Sequence, residues 1–235
     1  MATLPRYADV TARNRLLATL TVAEWSQVER SFEPILMMPG EVLYEAGMPV
    51  DHLYFPTTSI ISIECMMADG RTDALALVGS DGFAGVDVFL GSGSVHCRAV
   101  VLSEGWGYRI KRALLNQICA REGSMRNVLL RYTQSYITKL AQTTVCNRHH
   151  SIDQQVCRWL LMFLERYSSN ELPLTQKHIA GLMGVRRESV TMAAGKLQRA
   201  GCIRYHRGQI AVIDRMGLEA RACECHANAK LEAIV

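Results

Sequence analysis

Residues 174–212, LTQKHIAGLMGVRRESVTMAAGKLQRAGCIRYHRGQIAV, limit the possible folds of this chain more than any other stretch. Two short apolar-periodic segments flank one glycine, Gly184. Thr175 stands where a helix N-cap is favoured, and Ile179, Ala180, Leu182 and Met183 supply the buried side of a helix ending at Met183. Gly184 permits the tight turn that must follow. A second helix runs from about Arg186 to Arg199, with Val190, Ala193, Ala194 and Leu197 facing inward. Arg187, Glu188, Thr191 and Met192 share its opposite face, because they lie at i, i+1, i+4 and i+5. Gly201 stops that helix, and CIRYHRGQIAVI reads as a two-strand hairpin turning at Arg207-Gly208. Helix, turn, helix and hairpin together predict a winged helix-turn-helix.

The charge is placed to match. The stretch holds seven basic residues (Lys177, Arg186, Arg187, Lys196, Arg199, Arg204, Arg207) against one acid, Glu188. The whole chain is only +4, so everything outside the stretch nets to about −2. A major groove admits one α-helix, whose first turns meet base edges. Arginine gives guanine two parallel hydrogen bonds, and a carboxylate accepts from the cytosine amino group. Arg187, Glu188, Thr191 and Met192 are therefore the expected base-reading set. Thr175, Lys177, Arg186 and Ser189, around the helix starts, suit phosphates, which position the protein without specifying sequence. Arg186 occupies a position where Ser or Asp would cap the helix, so its charge is wanted there.

At 235 residues the chain fits one large domain or two ordinary ones. Half-apolar, one-fifth-charged composition is globular rather than disordered. No apolar run approaches the ~18 residues of a membrane span, and the N-terminus lacks a signal core, so a cytoplasmic protein without membrane contact is expected. Eight cysteines scatter singly except Cys223 and Cys225, and reduced thiols are the expectation. The fold class expected is α+β. Residues 1–30 form a short helical segment, with Thr21 and Glu24 matching a capping box. Residues 31–113, with turn signals at short intervals between runs such as HLYF, IISIECM and ALALV, predict an antiparallel, jelly-roll-like β-roll. Residues 114–147 lack proline and are broken once, by Gly123. After it Met125, Leu129, Tyr132, Tyr136 and Leu140 form one apolar stripe, which packs on the β domain or pairs with a second copy. Residues 148–235 hold the winged helix-turn-helix, preceded by a helix at 152–167.

These motifs resemble the Crp/Fnr family of bacterial transcription regulators over essentially the full length. VRRESVT is similar to that family's recognition-helix start, and PGEVLYEAGMPVDHLYF to the opening of its cyclic-nucleotide-binding-like β-roll. The resemblance implies that Arg187 and Glu188 read bases and that Thr175 and Lys177 contact phosphate. It also implies a long dimerisation helix carrying the Met125–Leu140 stripe, and a homodimer on double-stranded DNA. RNA polymerase becomes a partner if the protein activates. Met192 departs from the arginine common there. Nucleotide-binding members carry a Phe-Gly-Glu motif and a later Arg-Ser/Thr pair. Here the effector region reads Phe83, Ala84, Gly85, then His96, Cys97 and Arg98, without the glutamate, so cyclic AMP is not the expected effector. The alternatives are a constitutive regulator with a ligand-free roll, or a haem- or redox-responsive member.

An iron–sulfur cluster of the oxygen-sensing branch is not expected, because the first cysteine is Cys65. His96-Cys97 offers two possible haem ligands. Cys223, Cys225 and His226 crowd two thiols and an imidazole together. A structural zinc site wants four ligands at wider spacing, with His206 the conceivable fourth, so a helix tail with incidental cysteines and no metal is expected. No paired carboxylates or nucleophile–base arrangement emerges, so no catalysis is expected.

Overall fold

The β-prone runs between turn glycines become seven strands in the computed structural model of the chain, which describes residues 14–68, 70, 72–121, 123–167, 169–206 and 208–231. The first thirteen residues of the expected N-terminal helical segment, Asp69 of the Asp69-Gly70 turn and Arg207 of the wing turn lie outside the described residues. The strands are β1 (Phe32–Met37), β2 (Val42–Tyr44), β3 (His52–Pro56), β4 (Ile60–Met66), β5 (Thr72–Val78), β6 (Arg98–Ser103) and β7 (Gly105–Lys111). They form a three-stranded sheet in the order β1-β7-β3 and a four-stranded sheet in the order β2-β6-β4-β5. β7 is the central strand of the first, antiparallel to both neighbours, with Phe32 opposite Ile110 and Tyr54 opposite Arg109. The expected α+β class with an N-terminal antiparallel roll holds.

Helices α1 (Val22–Val28), α2 (Val86–Phe89), α3 (Arg112–Ala120) and α4 (Met125–His149) complete this part of the chain. The break between α3 and α4 contains Gly123, as its sequence predicts. The chain divides into two compact units, one of residues up to Ile63 and Val78–Tyr136, the other of Glu64–Leu77 and the residues from Ile137. The core of the first unit is aromatic. Phe83, fully buried, stacks on Phe55 at 5.4 Å between ring centroids and meets Tyr132 at 4.9 Å. Trp25, Phe32 and Tyr108 extend the cluster. Burying one such ring is worth roughly 1.5–3 kcal/mol relative to exposing it. Gly82 leaves room for the Tyr132 ring, which a Cβ at that position would overlap.

That core corrects one expectation. Met125, Leu129 and Tyr132, assigned to a dimer interface with Tyr136 and Leu140, are buried within their own chain's hydrophobic cluster. Tyr136 packs against the same cluster from a half-buried position, and Leu140 is half-buried. Met125, Leu129 and Tyr132 belong to the first unit's own interior because the roll offers them aromatic surface.

In the second unit α5 (Ile152–Leu164) is almost wholly buried, including Trp159 and Phe163. Ser151 and Gln154 form a capping box at its start, a signal the sequence reading passed over. Around it lie β8 (Glu171–Leu172), α6 (Gln176–Met183), α7 (Arg187–Arg199), β9 (Ile203–His206), β10 (Gln209–Val212), α8 (Arg215–Glu219) and α9 (Glu224–Leu231). Among the described residues no helix is long and apolar enough to cross a membrane.

The Thr21–Glu24 capping box forms as expected, and the Glu24 carboxylate does more than cap. It accepts from the Thr21 amide and hydroxyl at 2.8 Å each and from the Ser124 amide, one hundred residues away, at 3.2 Å. These donors, the Thr21 amide first, hold its pKa down from 4.5 to about 2. A carboxylate with a depressed folded pKa stabilises fully above its unfolded value, and that contribution is lost as pH falls through the folded one. Wild type should therefore melt above Glu24→Gln at neutral pH, with the gap closing as pH falls from 4.5 toward about 2. Melting curves in which the gap stays constant across that window would contradict the assignment.

Candidate nucleic-acid interface

The exposed surface of α7 is set by what its other side buries. Val190, Ala193, Ala194 and Leu197 are all buried, as predicted, and α7 packs against α5 and α6. Two alanines on that face let the helix approach closely. Arg187, Glu188, Thr191 and Met192 consequently face solvent, with Met192 65% exposed. Arg186 precedes the helix with extended backbone and provides no side-chain cap.

The preceding helix is positioned by its ends. Thr175 caps α6: its Oγ1 accepts from the His178 amide at 3.0 Å, while His178 Nδ1 accepts from the Thr175 amide at 3.4 Å. Gly184 ends it in the left-handed region (φ +62°), and a Cβ there would also overlap the Asp73 carboxylate. The left-handed backbone favours glycine at this turn, and a Cβ there would also make the Asp73 side chain move. Thr191 Oγ1 donates to Gln176 Oε1 at 2.8 Å, with the Arg187 carbonyl at 3.0 Å. This clip between α6 and α7 occupies the Thr191 proton and leaves its oxygen available. Gln176 was missed from sequence, where a polar residue in a first helical turn carries no distinguishing signal.

The wing forms as a hairpin, with Gln209 opposite His206 and Val212 opposite Ile203. A third strand, β8, joins it through Ile210 opposite Leu172, so the sheet order is β8-β10-β9. Two residues are too short a run to show alternation, which is why this strand escaped notice. The basic residues divide by partner. Lys196 Nζ pairs with Asp153 Oδ2 at 2.6 Å, and Arg199 Nε donates to the Gly195 carbonyl at 3.3 Å. Lys177, Arg186, Arg187 and Glu188 are exposed and make no side-chain hydrogen bond or ion pair among the described residues. Ser189 is half-buried beside them. The surface thus presents an unpaired ammonium at the start of α6 and unpaired guanidinium and carboxylate groups at the start of α7, among the described residues.

The candidate effector residues lie in the other unit. Phe83 and Ala84 are buried, so neither side chain is presented to a ligand. Ala84 exchanges backbone hydrogen bonds with Tyr54 at 2.8 and 3.0 Å. Gly85 has φ +106°, and a Cβ there would press on Leu53. His96 is exposed and Arg98 half-buried. Cys65 and Cys97 are disulfide-bonded, which corrects the expectation of reduced thiols at these two positions and removes Cys97 as a free haem ligand. Cys65 lies in β4 and Cys97 immediately precedes β6, and these two strands are sheet neighbours, an adjacency that linear spacing does not display.

The CECH segment does not behave as an incidental tail. His226 turns toward Glu165, 3.5 Å away, whereas Cys223 and Cys225 meet Cys146 and His150 from the end of α4. Burial pushes the Cys146 thiol up to about 12 and raises Cys225 as well.

Comparison with known proteins matches both halves. The description "Cyclic nucleotide-binding domain" fits residues 35–122, and "Crp-like helix-turn-helix domain" fits residues 154–221. This chain belongs to the Crp/Fnr family. The CRP-like cAMP-activated global transcriptional regulator of Mycobacterium tuberculosis (strain CDC 1551 / Oshkosh) is 23% identical over 222 residues, 91% of this chain and 99% of the relative. FixK2 from Bradyrhizobium japonicum shares the fold with a TM-score of 0.71 at 17% identity, covering 82% of this chain and 98% of that one. The c-di-GMP responsive global regulator CLP of Xanthomonas campestris gives 0.66 at 15% identity, covering 82% and 99%. Crp/Fnr proteins are transcription regulators rather than enzymes, and the Crp-like helix-turn-helix identifies this chain as DNA-binding.

In this Crp/Fnr protein the left-handed backbone at Gly184 makes any side chain there strained. Gly184→Ala should destabilise the C-terminal unit by about 1–3 kcal/mol. Denaturant unfolding followed by Trp159 fluorescence checks this, and an unchanged midpoint would mean that the turn tolerates a side chain.

Proposed function

We propose that this regulator binds a two-fold related DNA site as a homodimer and reads sequence with Arg187 and Glu188. The observation that carries the proposal is the exposed, unpaired Arg187–Glu188 couple at the first turn of a helix whose opposite face is buried. Arginine addresses guanine and glutamate the cytosine amino group, while Met192 offers apolar contact. Lys177, Arg186, Thr175 and Ser189, around the two helix starts, take phosphates.

The dimer surface is the outward side of α4. Leu130, Gln134, Ile137, Ala141 and Thr144 are exposed and recur at spacings of four, three, four and three. That heptad rhythm suits pairing with a second copy. Leu130 at 42% and Ile137 at 57% exposure are large apolar groups that a partner helix would cover. This seam replaces the inward Met125–Leu140 stripe.

On this reading the effector is not cyclic AMP. Gly85 supplies no carboxylate for a ribose, and Phe83 and Ala84 are committed to the core. The aromatic filling of the roll favours a second reading, a constitutive regulator with no ligand in that domain. Titrating candidate ligands while following operator affinity separates the two, since the constitutive form responds to none. Recruitment of RNA polymerase follows only if the protein activates.

Arg187→Ala should remove about 1–3 kcal/mol of discrimination at particular base pairs. Lys177→Ala should weaken all duplexes alike and flatten the salt dependence. Competition binding with single-base-pair operator variants checks both, and uniform weakening by Arg187→Ala would remove it from the base readers. Ile137→Glu should shift the protein toward monomer in sedimentation velocity, and an undisturbed dimer would place the seam elsewhere.

A further inference from the structure

Three cysteines form a small core of their own at the end of α4, with no aliphatic side chain in the cluster. Cys146 is 0% exposed, Cys223 4% and Cys225 3%. With His150 they place four donor atoms, one from each residue, within 4.8 Å of one another. The Cys146 and Cys223 sulfurs are 3.5 Å apart, and Cys225 Sγ lies 3.7 Å from His150 Nδ1. A tetrahedral zinc ion with Zn–S near 2.3 Å and Zn–N near 2.0–2.1 Å sets donor–donor edges of about 3.6–3.8 Å. We propose that Cys146, His150, Cys223 and Cys225 hold a single structural zinc ion.

Two independent features of the surroundings fit that ion. The first is the imidazole's other nitrogen. His150 Nε2 lies 3.2 Å from Glu224 Oε1, which fixes the tautomer with Nε2 as donor and turns the Nδ1 lone pair toward the thiols. Metal-bound histidines are oriented by carboxylates in this way. The second is a buried charge. Arg158 is 1% exposed, and its Nη2 donates to Thr143 Oγ1 at 2.9 Å, but Nε and Nη1 find no acceptor among the described residues. An interior guanidinium lacking a counter-charge is strongly unfavourable. Its field acts on both Cys146 and Cys225. On metal binding the three thiols release their protons to solvent, and three thiolates with one divalent cation leave a net −1. Arg158 balances that charge.

The donor set selects the metal class. Three buried sulfurs and one partly buried imidazole nitrogen, all protein-derived, are the mark of structural zinc. A two-iron cluster needs its ligands in two pairs on separate irons, whereas these four crowd around one point. The ion would join the end of α4 to the segment entering α9, enclosing α5, the helix-turn-helix and the wing within one closed loop. Binding free energy at such a site is folding free energy. The proposal stands apart from the assignment of base-reading residues.

Elemental analysis of full-length protein, purified with reductant and without chelator, tests it. The expected result is about one zinc per chain, released when a mercurial modifies the thiols. Cobalt(II) replacing the zinc should show the visible bands of a tetrahedral thiolate site. Cys223→Ser should abolish the stoichiometric metal. Because that variant could fail to fold, Glu224→Gln is the second test, expected to weaken zinc affinity about 10–100-fold with the fold retained. His226→Ala, outside the donor set, should keep its zinc. Purified wild type with free thiols and no bound metal would overturn the proposal. So would a disulfide between Cys146 and Cys223, or iron with a cluster absorption spectrum.

Discussion

The seating of α7 through Val190, Ala193, Ala194 and Leu197 on α5 is the contact on which the regulator's DNA-facing half depends. α5 is itself buried nearly throughout, so it serves as a floor with little freedom to shift. Once that inner face is committed, 3.6-residue periodicity leaves Arg187, Glu188, Thr191 and Met192 outward. Gly184 sets the approach of the two helices, and the Thr191–Gln176 hydrogen bond clips them. Charge then decides what the surface meets: Lys177, Arg186, Arg187 and Glu188, at the helix starts, are left unpaired among the described residues, while Lys196 is neutralised by Asp153.

In the other unit the same kind of commitment explains why α4 has two apolar sides. Its inward residues complete an aromatic core with Phe55 and Phe83, and Gly82 makes room for Tyr132. Leu130, and Ile137 just past the end of that unit, are exposed among the described residues. Filling the roll with aromatic rings also bears on the effector, since Phe83 at the family's nucleotide motif is structural here. A ligand that bound this unit could act on DNA affinity only by preferring one arrangement of the molecule over another.

Much of this was legible in the sequence wherever the physics is short-range. The caps at Thr21 and Thr175, the Gly184 turn, the buried face of α7 and the wing hairpin all depend on residues a few positions apart. The face of α4 was assigned wrongly because two apolar stripes compete on one helix, and periodicity does not say which meets the chain's own sheet. The thiol cluster escaped for a different reason: Cys146 and His150 lie some 75 residues from Cys223 and Cys225. The state of Cys65 and Cys97 depended in the same way on strand order. Long-range proximity is a property of topology, and spacing along the chain does not encode it.

Selection of bound duplexes from a random pool by the full-length protein tests the central claim most directly, namely that α7 enters DNA as one of a symmetry-related pair. The account predicts enrichment of a two-fold related sequence whose half-sites lie about 10–10.5 base pairs apart, centre to centre. An unenriched pool, or a single unrepeated element bound by a monomer, would contradict it.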